Sequence, residues 1–347
     1  MTAMTAMTTS TEAPAATAAA TTRELTYVKA FNEGLAQAMR EDENVFVAGE
    51  DVAGYGGVFR MFDNLLDEFG PRRMIDTPIS EAALVGLGVG AAARGLRPVV
   101  DLMFMDFIGV CLDQIVNQAA KMKYMFGGAL SVPLTITTAS GAGLGAAAQH
   151  SQSLEAWLAH VPGLKVVMPC DAYTAKGLTV SAIRDDNPVV VMLNKVLLGS
   201  RSEVPEEIYG IPLGQAHTAR QGSDVTVIAL GRMVGEALAA ADELAAEGVE
   251  IEVIDPRTVQ PLDTETMFAS VRRTNRVLVV HEAVTFGGLG AEIAAQIQDT
   301  VFDYLDAPVL RIGAPFSPVP FSPVLEKAYV PDHARIAQGC RRLLERS

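Results

Sequence analysis

The chain has 347 residues, 49% of them apolar, and its 41 acidic and 27 basic side chains leave a net charge of −14. That length holds two domains with substantial cores, and so acidic a surface argues against nucleic-acid or anionic-membrane partners. Cys111, Cys170 and Cys340 are widely spaced, form no paired metal-ligand pattern and suit a reducing, cytoplasmic setting.

Residues 1–22 read as a disordered tail. A short Met-Thr-Ala repeat is followed by Ala, Thr and Pro with no basic residue before Arg23, which fits neither a secretory signal nor a transit peptide. Met4 and Met7 are candidate starts. No later stretch reaches the roughly 20 uninterrupted apolar residues of a membrane span.

From Leu25 helices and strands alternate. Val28, Phe31, Leu35, Ala38 and Met39 share one helical face. Apolar strands are predicted at Val45–Gly49, Arg97–Leu102, Val132–Thr137, Leu164–Met168 and Pro188–Leu193, with Asp171 capping a helix that runs to Ile183. The stretch from Gly199 to Gly222 is rich in Pro, Gly and acid and reads as a linker. Beyond it the alternation restarts, with strands at Asp224–Ala229, Glu250–Ile254, Arg276–His281 and Pro308–Ile312. Helices are expected between them near Val234–Ala246, Thr264–Arg273 and Leu289–Asp303. Short apolar strands alternating with helices predict parallel sheets covered on both faces. The division is a first α/β domain over 23–205, a linker over 206–222 and a smaller α/β domain over 223–347.

The run Asp76-Thr77-Pro78-Ile79-Ser80-Glu81 feeds into Ala82-Ala83-Leu84-Val85-Gly86-Leu87-Gly88-Val89-Gly90. It sets one carboxylate, Glu81, in the first turn of an apolar helix, with Ser80 as the expected N-cap. Glu81 is then either a favourable helix-start charge or a chemical group held in a dry place. The density of Gly and Ala gives up helix propensity and suits close backbone approach to something large. After the third strand, Gly141-Ala142-Gly143-Leu144-Gly145 leads to Gln149-His150-Ser151-Gln152. Its spacing fits neither a dinucleotide fingerprint nor a P-loop, but it delivers His150 near the end of a strand, where α/β sheets place their chemistry. His160 suits a packed role, and His217, His281 and His333 have no evident chemical company. There is no metal-cage motif and no Gly-x-Ser-x-Gly elbow, nor the Gly-Asp-Gly motif with downstream Asn that holds a diphosphate through magnesium.

Several segments together resemble one family: Thr77-Pro78-Ile79-Ser80-Glu81, Ala148-Gln149-His150-Ser151-Gln152, Pro162-Gly163-Leu164-Lys165-Val166-Val167, Ala175-Lys176-Gly177-Leu178 and Ala182-Ile183-Arg184-Asp185-Asp186-Asn187-Pro188. They are similar, in order and spacing from about Leu25 to the C-terminus, to the β subunit of the thiamine diphosphate-dependent decarboxylating component of 2-oxo acid dehydrogenase complexes. The resemblance implies a transketolase-like pyrimidine-binding domain followed by a transketolase C-terminal-type domain. It also implies an α2β2 heterotetramer in which the α chain holds the diphosphate and magnesium, and docking to a lipoyl acyltransferase core. Carried over by position, Glu81 contacts N1′ of the aminopyrimidine, Ile79 and Phe107 pack about that ring, and Glu50 is a buried acid nearby. His150 lines the channel where the lipoyl group arrives. Leu134, Ala182, Ile183, Asp185 and Asn187 match positions that hold potassium in relatives. The implied reaction is oxidative decarboxylation of a pyruvate-like 2-oxo acid, or cleavage of acetoin, with acyl transfer to lipoamide. A transketolase-type enzyme acting without lipoamide and a non-catalytic structural subunit are the alternatives.

Overall fold

In the computed structural model, residues 21–345 are described. The disorder expected of residues 1–20 and the candidate starts at Met4 and Met7 lie outside them. In chain order the strands of the first half are β1 (Thr22–Thr26), β2 (Val45–Gly49), β3 (Met74–Asp76), β4 (Arg97–Phe104), β5 (Thr135–Ser140), β6 (Lys165–Val167), β7 (Val189–Asn194) and β8 (Arg201–Pro205). Then come β9 (His217–Arg220), β10 (Val225–Ala229), β11 (Ile251–Asp255), β12 (Thr258–Gln260), β13 (Val277–Val284) and β14 (Leu310–Ala314). A seven-stranded sheet has the order β12-β6-β7-β5-β4-β2-β3, and a five-stranded sheet the order β14-β13-β10-β11-β9. The first is parallel except for β12, the second parallel except for β9. The architecture is the α/β arrangement of two sheets that the alternation predicts.

Local chemistry accounts for the helices that flank the site. Asp171 accepts from the Thr174 N–H at 2.7 Å, and the Thr174 hydroxyl accepts from the Asp171 N–H at 3.0 Å, closing a capping box at the helix Ala172–Arg184. The Glu81–Ala93 helix buries Leu84, Val85, Gly88, Val89 and Ala92, and each large aliphatic there contributes about 1.5–3 kcal/mol. A Cβ on Gly88 would lie 2.8 Å from Val100 and 2.9 Å from Leu134, so glycine sets how closely this helix approaches the sheet. Its outer face, Ala83, Leu87 and Gly90, is exposed.

The structure departs from the sequence reading at four places. Thr22 belongs to β1, which pairs antiparallel with β8, so order begins before residue 23. The ladder of β5 starts at Thr135 rather than Val132, since Pro133 has no N–H to donate. The stretch read as a linker carries β8 and β9, and β9 completes the second sheet. Ser80 stands at the N-cap but its side chain makes no capping hydrogen bond.

Register brings the chemistry together. Gly49 is level with both Asp76 on β3 and Asp101 on β4. Glu50, the Thr77–Glu81 run and the segment after Asp101 therefore leave the sheet at the same C-terminal edge, where open parallel sheets bind ligands. Between Asp101 and Phe104 the β4–β5 register shifts, and Met103 takes φ +56°. This bulge re-aims Phe104.

Candidate active site

Two clusters lie along that edge, joined by the 3-10 segment Met105–Cys111. The first contains Glu81, Glu50 and Cys111. Burial, and then the neighbouring Glu81 carboxylate, raises Glu50 above its ordinary range. Burial, with Glu81 again second, pushes the Cys111 thiol up to about 12. Glu81 opens its helix directly after the Thr77–Ser80 run, which leaves β3 level with the end of β2 where Glu50 stands. Asp101 stands behind Glu50, fully buried, accepting the Thr137 hydroxyl at 2.7 Å, and burial raises it to about 6. The Asp76 carboxylate accepts the N–H groups of Ala53 and Gly54 at 2.7 and 3.0 Å, fastening the glycine-rich loop after β2 over this end.

The second cluster surrounds His150. Its ring meets Phe104 and Phe107 edge-on, with centroids at 4.8 and 5.4 Å, and Phe59 packs on Phe104 at 5.4 Å. One oxygen of Asp106 accepts the N–H groups of Ser151 and Gln152 and the Gln152 side-chain amide, at 3.2, 3.1 and 3.0 Å. The Lys195 ammonium donates to the His150 carbonyl. Behind this loop an interdomain cavity of about 320 Å³ is lined by Ser151, Gln152, Leu154, Glu282, Phe316 and Val319, among others.

The structure thus brings Glu81 and Glu50 together, and sets Phe107 against His150 on the segment that reaches Cys111 and Glu81. Ile79 is 82% exposed in this chain. Asp101, Phe104, Asp106 and Lys195 were not singled out from the sequence. The available signal was positional: Asp101 and Lys195 end or follow apolar strands at the C-terminal edge of the sheet.

A cofactor with an aminopyrimidine ring fits the first cluster. Glu50 Oε1 and Thr77 Oγ1 are buried without a hydrogen-bond partner, a state that ring nitrogens and an exocyclic amine would relieve. The set matched to potassium in relatives is already hydrogen-bonded in this chain. Leu134, Ala182, Ile183, Asp185 and Asn187 each already accept a hydrogen bond, Asn187 through Oδ1 from the Lys123 ammonium at 2.9 Å. The Arg97 guanidinium donates to the carbonyls of Ile183 and Asp185, both at 3.1 Å. Val189 N–H takes the Leu134 carbonyl at 2.9 Å, Asp185 N–H the Ala182 carbonyl at 3.3 Å, and Lys165 and Asn187 take the Asp185 carboxylate. A free cation there would have to share its ligands with cationic side chains. Among the described residues no group of three or more His, Cys, Asp or Glu is placed to hold a metal.

Comparison with known proteins agrees with this geometry. Residues 23–200 match the family model for the transketolase pyrimidine-binding domain, and residues 214–336 the model for the transketolase C-terminal domain. The chain is 48% identical over 334 residues to the β subunit of acetoin:2,6-dichlorophenolindophenol oxidoreductase from Bacillus subtilis (strain 168), covering 93% of this chain and 98% of that one. It is 44% identical over 329 residues to the β subunit of the pyruvate dehydrogenase E1 component from Rhizobium meliloti (strain 1021), covering 94% and 71%. Among solved structures, a split-gene transketolase described as an inactive β4 tetramer superposes with a TM-score of 0.76 at 24% identity, over 92% of this chain and 98% of that one, which speaks to fold alone. With matching domains in the same order and close relatives along nearly its whole length, the chain belongs to the β subunits of 2-oxo acid dehydrogenase E1 components.

Proposed function

We propose that this β subunit carries the pyrimidine half of a shared thiamine diphosphate site and turns over acetoin or pyruvate with a separate α chain. The observation that carries this reading is the Glu81–Glu50 pair at the C-terminal edge of the sheet, with Glu50 Oε1 buried and unpartnered. Thiamine diphosphate held there would supply a carbon nucleophile and an electron sink beside the substrate carbonyl. Glu81 holds or gives up a proton at the aminopyrimidine N1′. Burial, and then the Glu81 charge, disfavour the ionised form of Glu50. Phe107 walls the ring, and His150 stands at the mouth where an acyl acceptor arrives and moves or orients its proton. Ile79 and the exposed face of Ala83, Leu87 and Gly90 flank Glu81, which supports an α chain closing over that side and bringing the diphosphate and magnesium ligands in an α2β2 assembly. Docking to a lipoyl acyltransferase core and a cytoplasmic location belong to the same reading; three unpaired thiols suit a reducing compartment. Acetoin and pyruvate both remain candidate substrates because relatives named for each match over most of the chain.

The test is thiamine diphosphate binding by each chain alone and by the mixture, followed by turnover of acetoin and pyruvate with a dye acceptor. Binding and turnover only in the mixture support the shared site. Tight binding by this chain alone would overturn it.

A further inference from the structure

We propose that Lys195 is the positioning residue for His150, fixing the main chain of the histidine and the Phe104 ring against which its imidazole packs. The inference rests on the reading of His150 given above. Lys195 follows β7 directly and is only 3% exposed. Its ammonium donates to the His150 carbonyl and stands 5.3 Å from the centre of the Phe104 ring, the same ring that meets the imidazole edge-on at 4.8 Å. Lys195 therefore holds His150 through its backbone and supports the Phe104 ring that packs against its imidazole. Asp106 holds the next two N–H groups of the loop from the other side, so the histidine's main chain is clamped between a cation and an anion.

The other buried lysine supplies the contrast. Lys176 meets the Glu33 carboxylate at 2.7 Å and the carbonyls of Pro205, Glu206 and Glu207 at 2.7, 3.3 and 2.8 Å. That ammonium is saturated, and its role is structural. Lys195 has a single acceptor and makes no ion pair among the described residues. Asp106, Glu282 and Glu326 face it from the 3-10 segment, from β13 and from the helix Pro323–Tyr329, and burial still holds it below the ordinary lysine range. A buried ammonium so poorly paired costs stability.

The experiment uses the enzyme assembled with its α chain, with a lipoyl domain as acyl acceptor, and compares His150→Ala, Lys195→Met, Lys195→Arg and the His150→Ala/Lys195→Met double variant. The expected result is a fall in kcat/KM for the lipoyl domain of about tenfold or more in both H150A and K195M. Adding K195M to H150A should then cost no more than about threefold further, because residues acting through one another are not additive. K195R should recover most of the loss. Losses that multiply in the double variant, or a K195R no better than K195M, would each overturn the proposal. Full lipoyl turnover by H150A would instead remove the role given to His150 itself, a result distinct from failure of the lysine variants alone. Unfolding midpoints of all variants report folding, and Lys195→Gln replaces K195M if the latter does not fold.

Discussion

Glu282 accepts the main-chain N–H of Ala142 at 2.6 Å, reaching from β13 of the second sheet to the loop that follows β5 of the first. Glu326 does the same for the N–H groups of Gly143 and Gly145, at 2.7 and 3.0 Å. Gly141, Gly143 and Gly145 all have positive φ, which turns successive N–H groups toward an anion as in a phosphate-binding nest. Here the protein's own carboxylates fill that place, and the same loop leads on to His150. The glycines serve an internal interface rather than a cofactor.

Replacing Glu326 with alanine should therefore release the loop. Two charge-assisted hydrogen bonds from the Gly143 and Gly145 N–H groups to a buried carboxylate are lost, and about 1–3 kcal/mol of stability with them. Denaturant unfolding measures the loss, and hydrogen exchange should show faster exchange at Gly143 and Gly145. Unchanged exchange at those two amides would contradict the described contacts.

Glu155 is fully buried, neither of its carboxylate oxygens has a partner, and burial, with Glu282 nearby, raises it to about 7. The folded value lies above the roughly 4.3 of an unfolded chain, so the native state binds this proton more tightly. Its favourable contribution is complete below about pH 4 and is lost as the pH climbs through 7, a change on the order of 3 kcal/mol. Glu155→Gln should flatten that dependence and make the protein more stable than the parent at pH 8. Urea unfolding at pH 5 and 8 decides it; parallel curves for parent and variant would mean the acid is paired.

Two glycines of one helix should behave oppositely. Gly88→Ala puts a methyl within 3 Å of Val100 and Leu134 and should cost about 1–3 kcal/mol by overpacking. Gly90→Ala meets nothing within 4 Å and should stabilise the isolated chain by up to about 1 kcal/mol through helix propensity. If the exposed face receives the α chain, G90A should weaken assembly while raising the thermal midpoint. Analytical ultracentrifugation of the mixture separates the two effects.

Glu81→Gln should leave folding and assembly intact and cut turnover by about 10²–10⁴-fold, the range for removing a positioned acid or base. A variant with near-normal turnover in the assembled enzyme would show that Glu81 serves only as a helix-start charge.

Much of this is legible in the sequence alone. Strand and helix placement followed from apolar runs and from Asp171, whose cap forms as read. Glu81 and His150 stood out because each sits where an α/β strand hands over to a loop or helix. What the sequence concealed were relationships that only register and packing create. Asp106 is an ordinary acid in Met-Asp-Phe until the 3-10 turn aims it at the His150 loop. Ile79 looked like a wall of the site, yet in this chain it points to solvent, as a residue awaiting a partner surface would. Arg97, read only as the start of a strand, turned out to occupy the carbonyls assigned to a metal.

The short strand β12 lies in the second half of the sequence but adds antiparallel to β6, at the edge of the first sheet. A cut near residue 210 would therefore not yield two self-sufficient pieces. The front piece would carry a bare β6, with open N–H and C=O groups that invite pairing with other chains. The back piece would keep Thr258–Gln260 with no ladder to join. Recombining halves from different relatives would succeed only where the new back half supplies a strand that β6 accepts, so the two parts of this chain are bound to be inherited, exchanged and engineered as a unit.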